Sequence, residues 1–136
     1  MVEQTAQTTL VAGDALPELV KRVMQEAINR YARSSADHNP LHTDPVFAAG
    51  TRFGGTIAHG MLILAYVSEA LTAAFGERWL RSGRLKARFR GPARPGDTVT
   101  VSGRVKSRGA GRTVCEVEAR NQAGEVLVSA DAEVAD

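Results

Sequence analysis

What this sequence has little of narrows the field first. Among its 136 residues there is one cysteine, Cys115, so no internal disulfide can form and a reducing compartment fits. Aromatic residues make up 5% and the formal net charge is only +2, a balance that gives no reason to expect a nucleic-acid partner. No apolar run approaches the ~20 residues of a membrane span. The most apolar stretch, Met61 to Val67, runs straight into Ser68 and Glu69. The polar start, with Glu3, lacks the basic region and apolar core of a secretory leader. A cytoplasmic protein without membrane association is therefore the expectation. With 43% hydrophobic and 24% charged residues, the composition is that of a globular chain, and the length suits one domain over 1–136.

Histidine is scarce too, and its placement is informative. All three, His38, His42 and His59, lie between residues 34 and 61. The segment Asp37-His38-Asn39-Pro40-Leu41-His42-Thr43-Asp44 cannot be one regular helix, because Pro40 lacks an amide donor and pushes Asn39 toward extended geometry. A shaped loop is predicted there. By residue type, Asp37 and His42 can share one water and exchange its protons, as general acid–base chemistry requires. They can equally be structural, with Asp37 tightening the turn and His42 sitting half-buried with its nitrogens satisfied. A metal is a third option, since Asp44 and His59 stand near Asp37, His38 and His42. Against it, Pro40 prevents the helix that would put His38 and His42 on one face, and no cysteine is close. No metal is expected, and His38 is expected to be exposed.

Around this stretch the periodicity is readable. Thr8 to Val11 reads as a short strand and Leu19 to Met24 as another, although adjacent Lys21 and Arg22 fall on opposite faces. From Gln25 to Ser35, Ala27, Ile28, Tyr31 and Ala32 recur at helical spacing and predict an amphipathic helix that leads into Asp37. Gly60 to Phe75 is apolar almost all round, which predicts a buried helix stopped at Gly76. Its first amides lack partners within the helix, so Gly60 can donate to a carbonyl that gains negative charge. After Trp79 the period changes from helical to two. Leu85, Ala87 and Phe89; Val99, Val101 and Val105; Cys115, Val117 and Ala119; and Val126 to Val134 all alternate with polar neighbours. Turn signals at Pro95-Gly96-Asp97, Gly109-Ala110-Gly111 and Asn121 to Gly124 separate them. The expectation is an α+β fold in which an antiparallel meander wraps one buried helix.

Asp37-x-Asn39-Pro40-x-His42-x-Asp44-Pro45, followed by Phe47-Ala48 and by His59-Gly60-Met61, resembles the MaoC-like (R)-specific enoyl-CoA hydratases and the related (3R)-hydroxyacyl-ACP dehydratases. The segment from Phe89 to Asp97 is similar to that family's strand-to-turn segment. The resemblance implies a hot-dog fold and reversible addition of water to a trans-2-enoyl thioester, giving the (R)-3-hydroxyacyl product. It implies Asp37 and His42 as the catalytic dyad, Gly60 as the oxyanion donor, and a CoA or phosphopantetheine thioester as substrate with no cofactor. His59 and Asn39 are grouped with Gly60 as oxyanion or substrate-binding residues, with Asn39 and Asp44 read as shapers of the loop more than as reactants. Ser68 stands where some members carry a serine that helps bind the water or acyl group, or else is an ordinary buried hydroxyl. Leu62, Tyr66, Phe47 and Phe53 are the candidates for the pocket wall.

Arg84, Lys86, Arg88 and Arg90 put four cations on one strand face. They hold phosphates or the acidic surface of an acyl carrier protein, or they are a solvated face paired with Glu116 and Glu118. The resemblance also implies two sheets joined in a homodimer, since a lone sheet leaves strand edges unpaired. The rival readings are a hot-dog thioesterase and a non-catalytic thioester-binding partner subunit. Thioesterases of that fold typically lack the Asp-x-Asn-Pro-x-His loop, and non-catalytic subunits usually lose the dyad.

Overall fold

The computed structural model describes residues 10–136. Strand β1 (Leu19–Arg22) leads into helix α1 (Gln25–Ser35), the short helices α2 (Pro40–Thr43) and α3 (Pro45–Ala49), and the long helix α4 (Gly60–Phe75). Helix α5 (Glu77–Ser82) and strands β2 (Arg84–Phe89), β3 (Thr98–Gly109), β4 (Arg112–Arg120) and β5 (Val126–Ala135) follow. The strands form one antiparallel sheet in the order β1-β3-β4-β5-β2.

Helix α4 is the axis of the molecule. It buries Leu62, Ile63, Tyr66, Val67, Ala70, Leu71 and Phe75 and packs on β1, β3, β4 and β5. A helix apolar on nearly every side has no solvent face to offer, so it belongs in the interior. Gly76 ends it with φ 61° and ψ −138°, a conformation that costs glycine little. The inward rows Val99, Val101 and Val105 of β3, Cys115, Val117 and Ala119 of β4, and Ala130, Ala132 and Val134 of β5 close over it. One curved antiparallel sheet around one buried helix is the expected hot-dog arrangement. None of the described helices is long and apolar enough to cross a membrane.

Four local expectations need correction. Residues 8 and 9 of the first expected strand lie outside the described residues, and Leu10 and Val11 are not in a strand; Gly13 and Asp14 bond to Val105 of β3, and Ala15 forms a bridge to Arg104. Helix α5 was not anticipated, because six residues give periodicity too few turns to register. The meander is incomplete: β3, β4 and β5 are consecutive neighbours, but β2 pairs with β5, and β3 takes β1 on its other side. The chain from Arg90 to Asp97 contains Pro92 and Pro95 and crosses from edge strand β2 to interior strand β3, past β5 and β4, instead of closing a hairpin. It is held by the amides of Arg90 to Leu127, Gly96 to Val23 and Ala58 to Ala93. Finally, a register shift sets Ala119 opposite Val128 and Arg120 opposite Val126. The bulge turns Leu127 inward, so Leu127 and Val128 are both buried where strict alternation predicts only one.

Candidate active site

The Asp37–Asp44 segment is built by two repeats of one device. Asn39 caps α2 by accepting from the Leu41 amide at 3.0 Å, and Pro40 is its first residue. Asp44 caps α3 by accepting from Val46 and Phe47 at 3.0 and 3.2 Å, and Pro45 is its first residue. An Asx cap followed by proline starts a helix well, because the missing proline amide is one that needs no partner there. Pro40 thus forbids a helix running through the segment, as expected, yet begins a one-turn helix where a loop was predicted. Ala36 at φ 58° ends α1 in left-handed geometry and turns the chain so that Asp37 enters the same neighbourhood.

The turn of α2 points His42 back at the start of α4. His42 Nδ1 lies 2.8 Å from the Ile57 carbonyl oxygen, and its ring stacks on His59 at 3.8 Å between centroids with 24° between planes. A carbonyl oxygen only accepts, so Nδ1 carries the proton and neutral His42 presents a lone pair at Nε2. His59, the N-cap of α4, is 2% exposed, with Tyr31 tilted against it at 4.8 Å. Its Nε2 donates to the Asp37 carbonyl oxygen at 3.3 Å, which leaves buried Nδ1 as an acceptor without a partner. Burial lowers the His59 pKa below the ordinary 6.5; the bond to the Asp37 carbonyl opposes this, the His42 charge adds to it, and the Asp37 carboxylate opposes it. The half-buried His42 and exposed Asp37 complete the group, and one ligating atom from each of the three side chains lies within 4.8 Å of the others. Near-parallel rings send their in-plane lone pairs side by side, whereas an ion needs both aimed at one point ~2.0–2.1 Å away. The set is better shaped to hold a water, which bridges acceptors at this separation through bonds of ~2.8 Å.

Beside the group lies the start of α4. His59 gives no side-chain cap, and among the described residues nothing accepts from the Gly60 and Met61 amides. A cavity of about 320 Å³ opens at Gly60, lined by Phe53, Ile57, Ala58, Ile63, Phe89 and Val128, with Arg52 and Arg90 also on its wall. Phe89 closes on the glycine so tightly that a Cβ there would sit 2.9 Å from its Cδ1.

This geometry meets its comparison in known proteins. The description "MaoC like domain" matches residues 3–126. The chain belongs to the MaoC-like family. An (R)-specific enoyl-CoA hydratase of Rhodospirillum rubrum is 34% identical over 126 residues, covering 85% of this chain and 81% of that protein. The fatty acid synthase subunit beta of Aspergillus oryzae is 42% identical over 111 residues, 76% of this chain but only 5% of that protein. The chain thus spans a small fraction of the fungal synthase subunits it matches. The unliganded R-hydratase PhaJ1 from Pseudomonas aeruginosa superposes with a TM-score of 0.83 at 30% identity, over 93% of this chain and 81% of that one. The hot-dog fold expected from the sequence is the fold of this MaoC-like chain.

Within the MaoC-like frame the structure brings together Asp37, His42 and His59, with Gly60 next in the chain after His59 at the start of α4, but not the other sequence candidates. Ser68 is two turns along α4, and its hydroxyl accepts from Trp79 Nε1 at 2.9 Å, so it anchors α5 to α4. Asn39 turns its side chain to the α2 cap and not to the cavity. Of the expected pocket residues, Phe53 lines the cavity, Leu62 and Tyr66 are in the core, and Phe47 is half-exposed on α3. The cations divide. Arg84 and Lys86 oppose Glu133 and Asp131 on β5, not Glu116 and Glu118, because β5 and not β4 is the neighbour of β2. Arg88 opposes Ser129, and Arg90, beyond the strand end, donates to the Ser129 hydroxyl at 3.1 Å and reaches the cavity. His38 is exposed. Sequence reading missed Gln25, Thr56 and the Ile57 carbonyl, which carry no motif signal.

Proposed function

We propose that this MaoC-like protein is an (R)-specific hydratase, adding water reversibly to trans-2-enoyl thioesters of CoA. The observation that carries the reading is the convergence of a carboxylate and an Nε2 lone pair beside the uncapped start of α4. A water held between Asp37 and His42 gives both of its hydrogens to acceptors, which leaves an oxygen lone pair for C3 of the enoyl group. As that oxygen bonds to C3, one water proton passes to Asp37, and electrons move through C2 onto the thioester oxygen. The Gly60 amide at the helix N-terminus stabilises that enolate. Collapse of the enolate takes the proton from Asp37 at C2, so one water is added across the double bond with no other reactant. In reverse, the same groups dehydrate the hydroxyacyl thioester.

The cavity at Gly60 takes the acyl group, and Arg52 and Arg90 at its wall fit phosphates of the thiol carrier. CoA is favoured over an acyl carrier protein by the likeness to an (R)-specific enoyl-CoA hydratase, which spans 85% of this chain and 81% of that protein. The reading includes one domain over 1–136, no cofactor, a cytoplasmic location and a homodimer. The dimer is supported by β2, whose outer edge pairs with nothing among the described residues, and by Phe89 and Met61, 55% and 56% exposed beside the site. The test is loss of the conjugated-enoyl absorbance with trans-2-enoyl-CoA substrates of increasing chain length, with chiral analysis of the product. The (R)-3-hydroxyacyl product supports the reading; an (S) product, or thiol release from saturated acyl-CoA at a rival rate, overturns it.

A further inference from the structure

Helix α1 contributes a glutamine whose whole amide is turned toward the segments that hold His42. Gln25 Nε2 donates to the His42 carbonyl oxygen at 2.8 Å and to Asn29 Oδ1 at 2.9 Å, and Gln25 Oε1 accepts from the Thr56 hydroxyl at 2.8 Å. The orientation of the amide is not arbitrary, because a backbone carbonyl can only accept and so must face the NH₂ end. Thr56 directly precedes Ile57, whose carbonyl receives the Nδ1 proton of His42. One side chain therefore joins the backbone of the histidine to the strap that carries the acceptor for its ring. Its own base is firm, since Gln25 sits in the first turn of α1, which is fixed by buried Ile28 and Ala32.

We propose that Gln25 is a positioning residue that sets the tautomer and aim of His42, resting on the reading of His42 as a member of the dyad. Gln25 touches no part of the cavity and does not reach the reacting atoms. It acts by keeping the Ile57 carbonyl and the α2 turn at one separation, so that Nδ1 holds its proton and Nε2 keeps the lone pair that faces the water. Without the amide, the ring bond of His42 itself and a long 3.3 Å bond from the Ile57 amide to the Leu41 carbonyl are the described hydrogen bonds left between the α2 turn and the 56–57 strap, and neither holds the His42 carbonyl. The imidazole then samples both tautomers, and in the wrong one Nε2 carries hydrogen and cannot accept from water.

The test compares wild type, Gln25→Ala and Gln25→Glu. Gln25→Ala is expected to lower kcat by roughly 10-fold or more, in the range of small misplacements of a catalytic group, with KM for the enoyl-CoA unchanged. Gln25→Glu gives a rescue readout that a merely structural role would not move. Its carboxylate cannot donate to the His42 carbonyl, but its protonated form regains one donor while an oxygen still accepts from Thr56. The ratio of its kcat to that of wild type, taken at each pH, is therefore expected to rise as pH falls. Independently of substrate, nitrogen-15 NMR of the His42 ring is expected to show the Nδ1–H form in wild type and a mixture in Gln25→Ala. A Gln25→Ala protein with wild-type kcat and an unchanged Nδ1–H signature overturns the proposal. So does a flat Gln25→Glu ratio. If wild type hydrates no enoyl-CoA, the hydratase reading fails instead, and the NMR comparison still decides whether Gln25 sets the tautomer.

Discussion

The rings of His42 and His59 stack at 3.8 Å with planes 24° apart, so the two imidazoles cannot readily carry charge together. His59 is held neutral, since burial lowers its pKa below 6.5 more than the Asp37 contacts raise it. The sign follows from linkage. Unfolded His59 takes a proton near 6.5 while folded His59 resists it, so its contribution is intact above that pH and is lost as pH falls toward the folded value. Urea unfolding at about pH 8 and about pH 5.5 is expected to show wild type losing more stability than His59→Gln over that interval. Equal losses would show that the folded protein does not hold His59 neutral.

Gly60 and Phe89 give a prediction that separates a steric role from an electronic one. A Cβ at position 60 would lie 2.9 and 3.0 Å from Phe89 Cδ1 and Cε1, closer than carbon atoms pack, so Gly60→Ala must displace the Phe89 ring from its place on the cavity wall. Hydration is expected to fall by roughly 10- to 100-fold. Because the amide at position 60 survives the change, adding Phe89→Ala is expected to restore much of the rate. A double variant as slow as Gly60→Ala alone would show that the loss does not come from the ring.

Ser68→Ala distinguishes anchoring from chemistry. The change removes the acceptor of the Trp79 indole N–H, a buried donor whose loss of partner costs about 1–3 kcal/mol. Thermal or urea denaturation should record that loss, while kcat for a short enoyl-CoA stays within about 2-fold of wild type, because the hydroxyl faces α5 and not the site. A variant that is fully stable but slow would return Ser68 to the catalytic group.

Dilution tests the assembly. The edge of β2 that is unpaired among the described residues and the exposed Phe89 and Met61 lie beside Gly60, so separating the subunits of the proposed dimer is expected to cost the shape of the cavity and with it the activity. Sedimentation and activity measured over the same concentrations should fall together. A fully active monomer would show that one chain completes the site alone.

The sequence carried more of the fold than of the site's support. The bounds of α1 and α4 were readable because the apolar residues of each recur at a helical period, and β3, β4 and β5 because theirs recur at two. The partner of β2 was not, since pairing depends on where a proline-containing connection crosses the sheet, and the pattern of β2 itself is the same beside either neighbour. Leu127 escaped because a bulge suspends alternation at one residue. Asp37, His42 and Gly60 stood out through their motif and spacing. Gln25 reads as an ordinary polar residue at a helix start; its role lies in three hydrogen bonds to residues 4, 17 and 31 positions away, which no local pattern encodes.

The measurement closest to the central claim is turnover of a trans-2-enoyl-CoA by Asp37→Asn, His42→Ala and the double variant, each with its fold checked by circular dichroism. Asp37→Asn removes the carboxylate that takes the water proton and His42→Ala removes the Nε2 acceptor, and each is expected to lower kcat by ~10²-fold or more. Because the two residues act on the same water, the double variant is expected to lose far less than the product of the single losses. Either single variant retaining above about a tenth of wild-type turnover, or losses that simply multiply, would contradict a shared water between Asp37 and His42.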